Sequence, residues 1–311
     1  MARPAWILTA ALGLLTAGCI EPLDPEELVV GPRILAIMVD RPEVNPGQTV
    51  TARVFLAGTR GPARYRWTWC FANEGARFQS PVSDFGGNNP EQGCFDRDTG
   101  PLFDLGTADR ARLPIPPDLL SNAIAAAERG AGGNTGIPPG LLAVLAREIG
   151  IVAGIGVTVE VDGRTMRGYK RFVVSSNPRP NTNPPPPRLQ IGARWVSGGE
   201  GDSERCTPED GAGPLRLPRG GEAALVPDPN EAPWLETYQI LTATGQLETQ
   251  EEQGYYHWYI TGGSLARQGT RSPIRDNVWR LPAAPGAHSL WVFVRDGHGG
   301  TSGCQVEAVV E

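Results

Sequence analysis

The chain has 311 residues, and its 28 basic against 34 acidic side chains give a formal net charge of −6, which excludes the basic footprint that nucleic-acid binding needs. Its 40 glycines and 30 prolines exclude a protein of long helices and favour short strands joined by many turns. A chain of this length suffices for two ordinary domains, and its one lysine, Lys170, reflects coding bias and carries no functional weight.

The N-terminus has Arg3, an apolar run over 5–15, and small residues Thr16, Ala17 and Gly18 immediately before Cys19. A charged start, a short hydrophobic core and a small-residue site form a secretory signal. The run is too short for a permanent span, which needs about 20 apolar residues to cross roughly 30 Å of hydrocarbon. Residues 1–18 are therefore expected to be removed, leaving a net charge of −7.

The stretch Leu15-Thr16-Ala17-Gly18-Cys19 resembles the bacterial lipobox. That resemblance implies a diacylated Cys19 thiol, cleavage just before it and acylation, commonly with palmitate, of the new amine. Several acyl chains anchor stably where one is marginal, at about 0.8 kcal/mol per buried methylene. Ile20 stands where an aspartate would retain such a lipoprotein in the inner membrane, so the resemblance implies the outer membrane, facing periplasm or exterior. Residues 20–32, IEPLDPEELVVGP, have no periodic apolar face and are expected to tether the lipid to the first domain.

A first domain is expected over 33–176. It opens with RILAIMVD from Arg33 and continues with the glycine-led PGQTVTARVF from Pro46 and the aromatic YRWTWCF from Tyr65. It closes on strands either side of Asp162-Gly163, a strong short-range hairpin signal. Between the aromatic strand and that hairpin, residues 72–150 look like an insertion. It contains IPPDLL at 115–120 and IPPGLL at 137–142. Each copy is expected to begin a helix, with Leu119, Leu120, Ala123, Ile124 and Ala127 on one face of the first, and Leu141, Leu142, Leu145 and Ile149 on one face of the second. Proline at the start and Gly130 or Gly150 at the end supply the boundaries. An αα-hairpin near 115–150, capping one open end of the sandwich, is the expectation.

Residues 177–187 are six prolines in eleven. Such a segment prefers polyproline II at about 3.1 Å per residue, so it is expected to act as a semi-rigid spacer of roughly 30 Å. A second domain over 188–311 repeats the plan: RLQIGARWV from Arg188, GGEAALV from Gly220, YYHWYI from Tyr255 and a closing hairpin at Asp296-Gly297. Proline entry, a Gly-led strand, an aromatic strand and a final Asp-Gly hairpin resemble bacterial immunoglobulin-like and PKD-like surface modules. The resemblance implies a mainly β fold of two immunoglobulin-like β-sandwich domains.

With Cys19 lipidated, four cysteines remain, an even number that allows three connectivities in an oxidising compartment. The expected pairs are Cys70–Cys94 and Cys206–Cys304, one inside each domain. Cys70 alternates with Trp67, Trp69 and Phe71 and should face outward. Cys304 shares parity with Val306, Ala308 and Val310 and should face the core, where a loop near 100 residues is worth about 4.7 kcal/mol in the chain-entropy model.

No metal site is expected, because no two cysteines lie within four residues and the three histidines, His257, His288 and His298, are dispersed. Asp96-Arg-Asp-Thr-Gly100 lacks the bidentate glutamate of a calcium loop. Gly262-Gly-Ser-Leu-Ala266 lacks the closing glycine of a nucleophile elbow, and the glycine-rich 198–203 has no phosphate-reaching lysine. No catalytic residue and no cofactor are assigned.

On the second aromatic strand, Tyr255, His257 and Tyr259 share a face opposite Tyr256, Trp258 and Ile260. An aromatic face of this kind can stack sugar rings, unless another segment covers it. The expected function is a membrane-anchored, non-enzymatic envelope lipoprotein that binds or scaffolds, with an envelope protein or a glycan as partner. The rival is a lipid-anchored hydrolase of envelope polysaccharide or peptide, which requires two carboxylates about 5–10 Å apart in a cleft.

Overall fold

The computed structural model describes residues 25–71, 103–130, 144, 145, 147, 149–199, 204–230, 234–242 and 246–311. Cys19, Cys94, the Cys70 side chain, the 96–100 loop and all of 131–143 lie outside them. Among the described residues no helix is long and apolar enough to cross a membrane.

Two β-sandwiches make up the fold. In the first, β1 (Arg33–Val39), β3 (Thr49–Ala57) and β6 (Arg110–Pro114) form one sheet in the order β1-β3-β6. The opposing sheet runs β2-β8-β7-β4-β5, from β2 (Glu43–Val44), β4 (Arg64–Phe71), β5 (Phe103–Gly106), β7 (Ile151–Val161) and β8 (Arg164–Val174). Period-2 alternation sends Val50, Ala52 and Val54 of β3 inward to meet Trp67, Val157, Val159 and Phe172. Trp67 is fully buried because its indole N–H donates to the Ala108 carbonyl at 2.9 Å, which removes the penalty for hiding that donor.

The β7–β8 hairpin turns on Asp162 and Gly163, both at positive φ (49° and 74°), as a two-residue primed turn requires. The Asp162 carboxylate also accepts the Arg60 and Gly61 amides at 2.7 and 3.0 Å, so one turn residue pins a neighbouring loop.

Residues 72–150 are not one insertion. β5 pairs with β4 and β6 with β3, so 103–114 supply integral strands of both sheets. Helix α1 (Leu119–Gly130) follows, with Leu120 in the core and Leu119 against it. Of the second expected helix, residues 144, 145 and 147 are helical and Leu145 is buried. The Gly150 N–H returns to the Leu145 carbonyl at 3.0 Å with φ of 72°, a left-handed glycine stop.

The second sandwich has a six-stranded sheet in the order β11-β10-β9-β13-β19-β17. Its strands are β9 (Arg188–Ile191), β10 (Arg194–Gly198), β11 (Cys206–Pro208), β13 (Glu222–Pro227), β17 (Ser264–Leu265) and β19 (Asn277–Arg280). The facing sheet runs β12-β21-β20-β16-β18, from β12 (Leu215–Leu217), β16 (Tyr255–Ile260), β18 (Gly269–Arg271), β20 (Gly286–Arg295) and β21 (Thr301–Val310). A separate hairpin pairs β14 (Thr237–Leu241) with β15 (Leu247–Glu251).

Trp258 and Trp279 anchor the core between these sheets, each with its indole N–H satisfied, by Thr270 Oγ1 at 3.0 Å and the Gly262 carbonyl at 2.9 Å. Cys206 and Cys304 are disulfide-bonded with Cα atoms 5.4 Å apart. Cys304 points into the core beside Val306, Ala308 and Val310, as its parity implies, and the bridge ties the two sheets together.

The proline-rich segment does not hold its flanks apart. Asn181 donates its backbone N–H to Glu43 Oε2 (2.6 Å) and its side-chain amide to the His298 carbonyl (3.2 Å). Asn183 donates to the carbonyls of Val39 (2.7 Å) and Asp40 (3.1 Å) and accepts from the Thr301 N–H (2.9 Å). Above this seam lies an apolar interface of Leu35, Met38, Phe55 and Ala57 from the first sandwich against Trp291 and Phe293 from the second. Phe55 and Phe293 meet edge to face at 5.1 Å.

Nor is the whole of 20–32 a loose tether. Leu28 bridges Ile260 in parallel, with bonds from Val29 N–H to the Ile260 carbonyl and from Ile260 N–H to the Glu27 carbonyl, both 2.8 Å. β18 pairs only with residues 255–257 of β16, and residues 27–29 cover the edge that remains. Val29 is buried in the junction. The N-terminal segment therefore clasps the second sandwich before the chain enters the first.

Candidate ligand site

The face of β16 that bears Tyr255, His257 and Tyr259 is divided by the junction. Tyr259 is taken by the interface: it packs edge to face on Phe293 at 6.0 Å, and the Arg33 guanidinium lies 5.4 Å from its ring centroid. Tyr255 and His257 border an open groove of about 470 Å³, closed on the far side by Arg267, Arg271, Pro273 and Ile274. The Arg271 N–H donates to the Ile274 carbonyl at 3.1 Å and closes the turn that forms this wall. Ile274 is 57% exposed, an apolar side chain at the rim with no protein surface over it.

Positive charge collects here. Arg271 lies 5.7 Å from the Tyr255 ring centroid, and Arg295 is the cross-strand neighbour of Tyr255 on β20. Several other arginines of the second sandwich are matched to acids: Arg188 with Glu209 and Asp228, Arg194 with Asp210, Arg216 with Glu311, Arg280 with Glu222. Arg267, Arg271 and Arg295 form no ion pair with a described carboxylate. Burial, and then the charge of Arg295, lower the His257 pKa to about 4, so this imidazole is neutral at pH 7 and offers one donor and one acceptor.

A second polar cluster sits under the seam. Asp296 accepts the His298 and Gly300 amides at 2.7 and 2.9 Å, and Glu252 accepts the Glu236 amide at 2.9 Å. Glu252 Oε1 is 3.4 Å from His298 Nδ1, and the Tyr238 ring stacks on His298 with centroids 3.8 Å apart. Burial and the Glu252 charge raise the Asp296 pKa. Both carboxylates are sealed from solvent and hold backbone amides, so they bind the junction together and line no cleft. Among the described residues, no three His, Cys, Asp or Glu side chains are placed to hold a metal ion.

The structure thus unites Tyr255 and His257 and assigns Tyr259 to the interface. His288 packs against Gly262, where an added Cβ would lie 2.7 Å from its ring. The arginines and Ile274 were missed from sequence, because the absence of an ion-pair partner is a property of folded neighbourhood and leaves no mark on spacing.

Fold and site define a protein of two fused β-sandwiches with a cationic, aromatic groove on one outer sheet. No family model matches the chain, and no curated protein matches it. Among solved structures, Escherichia coli alpha-2-macroglobulin activated by porcine elastase aligns at 8% identity and TM-score 0.22, over 93% of this chain and 22% of that one. A Salmonella alpha-2-macroglobulin mutant aligns at 11% and 0.23, over 93% and 17%. Chimeric titin Z1Z2 carrying a decorin peptide aligns at 12% and 0.21, over 90% and 96%. The chain spans about a fifth of the macroglobulins it aligns with. Likeness this slight carries no argument, and the architecture rests on the sheets themselves.

Proposed function

We propose that this chain is an outer-membrane lipoprotein, lipidated on Cys19, whose two immunoglobulin-like sandwiches form one body that acts as a non-enzymatic binding module. The groove beside Tyr255 carries the binding part of this reading: an aromatic ring, a neutral imidazole and two arginines, Arg267 and Arg271, with no ion pair to a described carboxylate line one open groove. Support for the anchor comes from the lipobox-like run ending at Cys19. The nine residue-to-residue steps from Cys19 to Leu28 reach at most about 30 Å when extended, so the clasp at Ile260 would hold the second sandwich close to the bilayer.

The test is mass spectrometry and membrane fractionation of the protein expressed in a Gram-negative host, alongside Cys19→Ala. A mature N-terminus at Cys19 carrying acyl mass, with membrane association lost in the variant, is the expected result. An unlipidated chain that stays in the soluble fraction refutes the anchor.

A further inference from the structure

The groove's chemistry also points to the class of ligand, an inference that rests on the binding-module reading and deepens it. We infer that the groove between Tyr255 and Ile274 binds the carboxylate-bearing sugar units of an anionic glycan.

Charge supplies the first argument. On a chain of net charge −6, Arg267 and Arg271 line the groove and Arg295 is the cross-strand neighbour of Tyr255, none of them ion-paired with a described carboxylate. A ligand carboxylate would therefore displace no internal partner, and a guanidinium meets a carboxylate through two parallel N–H···O bonds.

Shape supplies the second. The Arg271 guanidinium lies over the Tyr255 ring, 5.7 Å from its centroid, and Pro273 and Ile274 add apolar lining to the same groove. A sugar ring has an apolar C–H face for such surfaces and an edge of hydroxyls for the neutral His257. A bare inorganic anion would leave the ring and Ile274 unused, and a neutral sugar would leave the arginines unused. The groove, about 470 Å³, falls within the usual size of ligand sites, roughly 300–1,000 Å³.

The experiment is calorimetric titration of the purified full-length protein with a linear tetragalacturonate, with maltotetraose, inorganic phosphate and an oligoglutamate peptide as comparators. Tetragalacturonate is expected to bind, and to bind more weakly as salt rises. Arg271→Ala and Tyr255→Ala should each weaken it about ten- to hundredfold, as loss of a charged hydrogen bond or a stacking platform does. Arg267→Glu, on the exposed wall, gives a second charge variant, and Arg280→Ala, whose guanidinium is paired with Glu222, should leave affinity unchanged. Equal binding of maltotetraose, tighter binding of phosphate or oligoglutamate, or no tetragalacturonate binding at millimolar concentration overturns the inference. Failure here leaves the lipid-anchor result standing, and failure of lipidation leaves this titration unaffected.

Discussion

Replacing Phe293 by alanine probes the joint between the sandwiches. The side chain is fully buried on the outer face of β20, edge-on to Phe55 at 5.1 Å and to Tyr259 at 6.0 Å. Gly303 on the next strand leaves room for it: a Cβ there would stand 2.2 Å from the ring. A buried Phe→Ala change costs about 3–5 kcal/mol through lost transfer and a residual cavity, and two edge-to-face pairs place this one toward the upper end. Phe293 belongs to neither sandwich core, so the loss falls on their coupling. Calorimetry should record one cooperative transition for the wild type and two for Phe293→Ala. The neighbouring Val292→Ala, which opens a cavity in the second core, should lower the transition without splitting it. An unsplit transition for Phe293→Ala, with less than about 1 kcal/mol lost, refutes the reasoning.

Three further outcomes follow from single features. Cys206→Ala/Cys304→Ala opens a loop of sequence separation 98 and should lower stability by about 4 kcal/mol in urea titrations; a change under about 1 kcal/mol would show that the closed loop constrains little. Asp296 has its folded pKa raised by burial and then by Glu252, so its contribution is full below the unfolded value of about 4 and fades as pH rises through the folded value. Asp296→Asn should flatten that decline in urea titrations from pH 4 to 7, and an unchanged pH slope contradicts it. Lys170 is lowered to about 8, by burial first and Arg295 second, against an upward pull from Asp296. Its folded value lies below the unfolded one, so stability should rise between about pH 8 and 10.4. As the chain's one lysine, after reductive methylation it gives a distinct side-chain NMR titration, expected near pH 8; a midpoint near 10.5 excludes the burial.

Much of each sandwich was legible because alternation and turn chemistry are local. Asp162-Gly163 announced its hairpin, and the parity of Cys304 with Val306 and Val310 announced the face of the bridge. β5 and β6 were hidden because FDLG and RARLP are too short to display a period. The junction did leave a signal that single-face reading passed over. In RILAIMV and LWVFV the apolar run is unbroken, as in strands buried on both faces: Ile37 and Val39 enter one core while Leu35 and Met38 meet the second sandwich, and Leu290 and Val292 enter the other core while Trp291 and Phe293 face the first. Prolines dominated the reading of 177–187, although the contacts there are made by Asn181 and Asn183. The cationic groove depends on residues of β16, of β18 and of the segments either side of β18, a proximity that pairing and not spacing creates.

The two sandwiches form one body that presents the groove in a fixed setting. Small-angle X-ray scattering of the mature protein tests this most directly. A compact body of this length has a radius of gyration of about 20 Å, and the account predicts a value close to that. Sandwiches held apart by an extended proline spacer would give a radius above about 30 Å, and that result would contradict it.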